Sequence, residues 1–274
     1  MGPIVIDPDR CRRDGLCAAV CPLKLIQFPD PEAVPFPVAG SGEVCIRCGH
    51  CFAVCPHGAI TLDGMTPEQC PPVREDWALG PERTEHFLRS RRTIREFKKE
   101  TVDRDTILQL IRVGRYAPSG HNAQRARWRV IYEPAEVRRM AALVVDWMRD
   151  FSRREPRAAR AMHMGLITAA WEAGLDVICW DAPHVILTHA PEDDPLAARD
   201  STLALAYLDL AAPGFGLGTC WAGYFGRAAA QWPPMREALA LPEGHITTGA
   251  MMLGRPRVRY ARLAPRREPE VSWQ

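Results

Sequence analysis

Cys45-Ile46-Arg47-Cys48-Gly49-His50-Cys51-Phe52-Ala53-Val54-Cys55-Pro56 spaces four thiols as C-x2-C-x2-C-x3-C-P. Three thiolates on one tight loop at that spacing can hold one iron–sulfur cluster while the fourth reaches another. A structural zinc site pairs C-x2-C knuckles across a longer loop. An extracellular disulfide scaffold goes with an even cysteine count and a secretion signal. This segment has no paired knuckles, and although the cysteine count is even, no secretion signal is expected. His50 and His57 lie inside and beside the motif, where a complete thiolate set leaves them as surface imidazoles near sulfur.

Upstream, Cys11, Cys17 and Cys21-Pro22 repeat the register, with Asp14 where the second thiol is expected. The two motifs together resemble bacterial-type ferredoxins with two clusters, over roughly residues 4 to 62. In those proteins each motif's last cysteine crosses to the other cluster. By position the resemblance implies one 4Fe-4S cluster on Cys45, Cys48, Cys51 and Cys21. It implies a second on Cys11, Cys17 and Cys55, with its fourth corner facing Asp14. A carboxylate is a harder ligand than a thiolate, so the iron it holds is more exchangeable. Two outcomes are open: Asp14 completes a 4Fe-4S cluster, or the corner iron is absent and the cluster is 3Fe-4S.

The chain around these motifs has 274 residues, is 47% hydrophobic and 25% charged, and carries 35 basic against 33 acidic residues. That composition reads as a globular protein of one or two domains. A net charge of +2 leaves no excess to neutralise a run of phosphates, so no nucleic-acid partner is expected. Residues 1–62 are too poor in apolar side chains for a large core and need a staple. The short runs Ile4–Ile6, Leu25–Phe28 and Ile60–Leu62 read as extended. Residues 63–81 hold Pro67, Pro71, Pro72 and Pro81 and read as a semi-extended linker, leaving 82–274 as a second domain.

In that second domain Thr84 is read as the cap of a helix carrying Phe87 and Leu88. Asp103 is read as the cap of another helix with Ile107, Leu108, Leu110, Ile111 and Val113 on one broad face. Residues 128–132, 184–188 and 248–253 are β-prone runs among helical stretches, an α+β pattern. The apolar stretch 203–226 contains Asp209, Pro213 and five glycines. It therefore reads as a buried helix, and no membrane span is expected.

Two further segments carry chemistry: Arg91-Arg92-Thr93-Ile94-Arg95-Glu96-Phe97, and Ala117-Pro118-Ser119-Gly120-His121-Asn122-Ala123-Gln124-Arg125-Ala126-Arg127-Trp128. With Gly216 to Gly223 and the closing Leu253-Gly254-Arg255-Pro256 and Pro265-Arg266-Arg267, they resemble the FMN-binding segments of the nitroreductase family over residues 82–274. Thr93 replaces the family's usual serine, and Ala126 interrupts the run after Gln124. The resemblance implies a central, mainly antiparallel sheet flanked by helices, and FMN held by residues of both subunits of an intertwined homodimer. By position Arg91, Arg92, Thr93, Arg95, Pro118, Ser119, Gly120, Asn122, Gln124, Trp221, Ala222, Gly223, Arg266 and Arg267 would contact the cofactor. Trp221 to Gly223 would lie near flavin N5.

The chemistry of these residues agrees. Arg91, Arg95, Arg266 and Arg267 offer planar forks that bind a phosphate bidentately without a glycine-rich loop. Asn122 and Gln124 each present donor and acceptor to the edge of a flavin ring. Pro118-Ser119-Gly120 is a turn-forming triplet that lets backbone approach closely. Arg91 and Arg92 match the family contact equally well. Cys179 and Cys220 read as small buried residues.

Enzymes of the family pass two electrons from N5 as hydride to nitro groups, quinones or activated double bonds, without a dedicated protein acid or base. The whole chain is therefore expected to be an oxidoreductase whose clusters fill FMN from a ferredoxin or from NAD(P)H and which reduces a small-molecule acceptor. The alternative is a flavin redox module that exchanges electrons only with protein partners. The first ten residues show no basic stretch followed by an apolar one, which leads to the expectation of a cytoplasmic protein.

Overall fold

The computed structural model describes residues 2–274. They form two compact units, one running to Ala78 and taking in His121–Ala123, the other made of Leu79–Gly120 and Gln124–Gln274. The first unit contains β1 (Ile4–Ile6), α1 (Leu16–Val20), β2 (Ile26–Gln27), β3 (Phe36–Pro37), α2 (Ser41–Val44), α3 (His50–Val54) and β4 (Ile60–Leu62). β1 and β4 pair antiparallel with Ile4 opposite Leu62, and β2 pairs antiparallel with β3. Its buried core is Ile4, Cys17, Ile26, Cys51, Ile60 and Leu62, so two members are thiols expected to hold a cluster. A core this small cannot by itself offset the chain entropy lost on folding.

The proline-rich segment after β4 holds two single turns of 3-10 helix, at Pro67–Gln69 and Glu75–Trp77. The first is closed by Gln69 Oε1 accepting the Thr66 N–H at 2.8 Å.

The second unit contains α4 (Gly80–Ser90), α5 (Arg104–Gly114), β5 (Arg127–Ile131), α6 (Pro134–Arg154), α7 (Pro156–Ala161), α8 (Met164–Glu172), β6 (His184–Pro191), α9 (Ala197–Ala211), β7 (Gly218–Trp221), α10 (Gly223–Gln231), α11 (Pro233–Leu239) and β8 (His245–Gly254). Thr84 does not cap α4. The helix begins at Gly80 with a proline in its first turn, where the missing N–H costs nothing, and Thr84 Oγ1 donates back to Gly80 O at 2.7 Å. Asp103 does cap α5, accepting the Thr106 N–H at 2.8 Å. The buried stripe of α5 is narrower than its apolar pattern, since Ile107 and Leu110 are covered while Leu108 and Val113 are exposed.

One antiparallel sheet runs in the order β5-β6-β8-β7. Side chains of β6 alternate between two apolar clusters, Val185 and Leu187 to one side and Ile186 to the other, as period-two geometry requires. The α6 side chains Val137, Met140, Val144 and Met148 cover the first face together with Phe225 of α10. Ile107 and Leu110 of α5 and Leu205 and Leu208 of α9 cover the second. With helices on both sides, β6 is buried along seven of its eight residues, the apolar Val185, Ile186, Leu187 and Ala190 together with the polar His184, Thr188 and His189. Gly249 of β8 leaves room for Leu205, since a Cβ there would stand 2.6 Å from Leu205 Cδ1 and force that side chain to shift.

The stretch read as one buried helix is instead the second half of α9, a 3-10 turn, β7 and the start of α10. Its four-residue strand falls inside a run whose glycines suit a sheet edge as well as a break. Among the described residues, no helix is long and apolar enough to cross a membrane.

Candidate functional site

The two cysteine motifs share one backbone. Arg13 and Arg47, Gly15 and Gly49, and Lys24 and Gly58 stand at matching positions, and all have φ between 51 and 79°. Left-handed backbone is costly for a residue with a Cβ, so its recurrence at Arg13, Arg47 and Lys24 marks loops held in one conformation. The last cysteine of each motif accepts the amide four residues on, Leu25 N–H to Cys21 Sγ at 3.3 Å and Ala59 N–H to Cys55 Sγ at 3.4 Å. Asp14 therefore occupies the loop position that Cys48 occupies in the other motif.

The expected ligands fall into two crossed sets of neighbours, spaced more widely than the ligands of a single ion, since among the described residues no three His, Cys, Asp or Glu side chains could hold one metal ion. Cys21, Cys45, Cys48 and Cys51 line one cavity together with Ile4, Leu25 and Leu62. Burial pushes the Cys51 thiol up to about 11, opposed by the Phe52 N–H and reinforced by Cys21, Cys48 and Cys45. Burial likewise raises Cys17, opposed by the Ala18 N–H, with Asp14, Cys11 and Cys55 as its charged neighbours. Thiols that resist ionisation alone become thiolates when a cation arrives, so each set suits a positively charged iron core. Asp14 is exposed. Its Oδ1 accepts the Leu16 N–H at 3.1 Å, and its Oδ2 lies 3.6 Å from His57 Nε2.

In the second unit Arg91 and Arg92 follow α4, and with Leu88, Arg89, Arg266 and Arg267 they border an open cavity of about 470 Å³. Arg91 Nη1 is 3.6 Å from Asp209 Oδ2, and the Thr219 hydroxyl donates to the other Asp209 oxygen. The Arg92 guanidinium lies 5.2 Å over the Tyr260 ring. Thr93 bridges to Thr219, and the Ile94 N–H donates to Thr219 O at 2.8 Å, which fastens this segment to β7. Arg95 stands over the Trp180 ring at 5.9 Å and near the Cys220 thiol, whose pKa is raised because burial outweighs the pull of the Arg95 charge. Trp221 is half-exposed at the end of β7, Ala222 N–H donates to Ala250 O at 2.9 Å, and Gly223 opens α10.

The Pro118–Gln124 loop is fastened elsewhere. Ser119 Oγ accepts the Gln124 N–H at 3.0 Å, and the Gly120 N–H donates to the buried Asp200 carboxylate at 3.2 Å. Arg125 clamps the same turn, donating to Gly120 O at 2.8 Å and to Asp200 at 2.9 Å, while its Nε donates to Asp194. The loop backbone is left-handed at His121, Asn122 and Gln124. Within the first unit, Asn122 Nδ2 donates to Arg47 O at 2.9 Å and Ile46 O at 3.3 Å. Ser119 and Gln124 line a different cavity from Arg91, Arg92, Arg266 and Arg267.

The arginine cavity fits the phosphate of FMN. Five guanidinium groups border it beside Glu85 and Glu268; Arg89 is paired with Glu85, Arg91 is aimed by the buried Asp209, and Arg92, Arg266 and Arg267 remain for the anion. The sequence reading missed Asp209, Asp200 and Asp194. Its available signal was two acids inside the apolar α9, which burial obliges to find cationic or N–H partners.

Residues 88–255 match the sequence model of the nitroreductase family. The chain belongs to that family. Residues 9–60 match the 4Fe-4S dicluster domain. Among solved structures, a nitroreductase with bound FMN from Desulfitobacterium hafniense is 21% identical, with a TM-score of 0.54 over 69% of this chain and 97% of that one, a likeness of fold. The iron–sulfur portion is 36% identical over 80 residues to an iron-sulfur component of the CoB–CoM heterodisulfide reductase of Methanocaldococcus jannaschii, 24% of this chain but 12% of that relative's length. It is 33% identical over 69 residues to a protein named Ferredoxin 7Fe from Hydrogenibacillus schlegelii, covering 25% of this chain and 82% of that relative. This nitroreductase-family chain thus joins an FMN-enzyme fold to a dicluster domain.

Proposed function

We propose that the chain is an FMN-dependent oxidoreductase in which two iron–sulfur clusters deliver electrons for the two-electron reduction of a small molecule: a nitro compound, a quinone or an activated double bond. The observation that carries this reading is that one polypeptide places Cys21, Cys45, Cys48 and Cys51 around one cavity, sets Cys11, Asp14 and Cys55 about Cys17, and lines another cavity with arginines. Clusters pass electrons singly, whereas bound flavin stores two and releases them as a pair. A nitro group taken to nitroso uses two electrons and two protons and releases water. The electrons enter from a ferredoxin-like carrier or from NAD(P)H.

The chain's own residues then have assigned work. Cys21, Cys45, Cys48 and Cys51 hold an all-thiolate 4Fe-4S cluster, and Cys11, Cys17 and Cys55 hold the second beside Asp14. Arg91, Arg92, Arg266 and Arg267 neutralise the FMN phosphate, and Asp209 aims Arg91. Thr93, Arg95, Trp221, Ala222 and Gly223 border the ring from one protomer of a homodimer. Pro118, Ser119, Gly120, Asn122 and Gln124 border it from the other.

The test is anaerobic purification with iron, sulfide and FMN quantified, and EPR before and after dithionite, on wild type and Asp14→Cys. About eight irons and one FMN per chain, with flavin reduced through the clusters, supports the relay with Asp14 as a ligand. About seven irons and an oxidised three-iron signal, moved to eight by Asp14→Cys, leaves the corner open at Asp14. FMN without iron overturns the relay. Reoxidation of the flavin by protein partners alone, across a panel of nitroaromatics, quinones and enones, would make the chain an electron carrier instead.

A further inference from the structure

A cavity of about 230 Å³ opens between the C-terminal end of α5 and the start of β5, and it is lined by Arg112, Arg115, Arg125, Arg127, Trp128 and Asp200. The arginines are not equivalent. Arg125 is spent internally, its guanidinium held by Asp194 and by Asp200, and Asp200 is itself buried. Arg112, Arg115 and Arg127 have no carboxylate within salt-bridge distance among the described residues. The lining therefore carries one compensated cation and three exposed ones without a carboxylate partner, of which Arg115 lies 5.3 Å over the Tyr116 ring.

Two ordinary explanations leave a remainder. Cations at a helix C-terminus complement the helix dipole, which accounts for Arg112 and Arg115 at the end of α5. Charges on an edge strand discourage sheet-to-sheet pairing, and β5 is an edge strand. Its other arginine, Arg129, meets that need while donating to Ala240 O at 3.0 Å. Neither explanation brings Arg127 to the same cavity as the two helix arginines. The wall is also preformed. Trp128 packs so closely on Gly114 that a Cβ there would stand 3.1 Å from the indole, and the Arg125–Asp200 clamp fixes the loop carrying Ser119 and Gln124, which line the cavity too.

We propose that this cavity is an oxyanion-binding site for the molecule to be reduced, selecting acceptors that carry a carboxylate. Three planar forks around a small, partly walled space suit one carboxylate bidentately, and a volume of 230 Å³ admits a single substituted ring rather than a dinucleotide. The assignment of the bound molecule as the acceptor rests on the function proposed above. The binding of a carboxylate does not.

The experiment is calorimetric titration of the holoprotein, with FMN filling the Arg91 cavity, using 4-nitrobenzoate and its neutral isostere 4-nitrobenzamide. The expected result is that the benzoate binds about tenfold tighter at low ionic strength, the equivalent of one charge-assisted hydrogen bond. The preference should shrink as salt rises and fall to about one in both Arg127→Gln and Arg112→Gln. Arg112 and Arg127 are both exposed, so the variants should keep the fold, checked by unchanged FMN content. Equal affinity for the two ligands in wild type overturns the proposal, as does a preference that survives both substitutions. A holoprotein that shows the preference but reduces neither compound keeps the oxyanion site and overturns only the acceptor reading.

Discussion

His184 shows how one side chain can bind a loop to the sheet through a single protonation state. Its Nε2 accepts the Val102 N–H at 2.8 Å, and its Nδ1 lies 2.6 Å from Tyr132 O, so the neutral ring with its proton on Nδ1 satisfies both neighbours. Burial holds its pKa below the usual 6.5, despite the carbonyl partner and Glu133 that pull the other way. A folded state with the lower pKa binds fewer protons than the unfolded chain. The stabilisation is therefore complete above pH 6.5 and is lost as pH falls from there through the folded value. NMR titration should find His184 below 6.5, with Val102 amide protection, corrected for intrinsic exchange, declining over the same range. A titration at or above 6.5 contradicts this. None of it was legible in the sequence, because a histidine on an apolar strand gives no sign of which backbone groups it will meet. The place of Asp14 was legible, because a repeated spacing shows which residue stands where the matching loop carries Cys48.

Among the helices, the apolar period located α5 well, but the caps decided its boundaries. Asp103 closes the α5 N-terminus with both oxygens, accepting the Thr106 amide and hydroxyl at 2.8 Å each. Those contacts hold its carboxyl below the usual range, the Thr106 backbone first and its hydroxyl second. Asp103→Ala should cost about 1 kcal/mol of stability, while Thr84→Ala, inside α4 rather than at its cap, should cost little. Urea unfolding of the holoprotein at neutral pH distinguishes them, and equal losses would return Thr84 to the capping role its sequence context suggested. The strands divide along the same line. β5, β6 and β8 announce themselves as β-prone runs, whereas β7 is four residues in a glycine-containing stretch. What makes it a strand is long-range pairing, Thr219 opposite Leu253 and Cys220 opposite Met252, which no local pattern encodes.

The arrangement of the second unit bears on the whole molecule. The residues expected around FMN fall into two sets in one chain, Arg91, Arg92, Arg266 and Arg267 bordering one cavity and Ser119 with Gln124 lining another. The amphipathic α4 has no buried residue, and Tyr260, Val271 and Trp273 of the C-terminal tail are exposed. Apolar surface of that extent on a helix and an arm calls for a cover, and a second copy offering the complementary set would supply one. If each flavin sits between two protomers, a chain carrying Arg266→Gln with Arg267→Gln and a chain carrying Asn122→Ala with Gln124→Ala should each form dimers poor in FMN. Assembled as a heterodimer, they regain one intact site from the first chain's loop and the second chain's arginines. Random co-assembly makes half the dimers mixed, so flavin content should recover to about a quarter of wild type, and to about half in purified heterodimer. A site built within one chain would give no recovery at all, because each chain would bring its own defect to its own flavin.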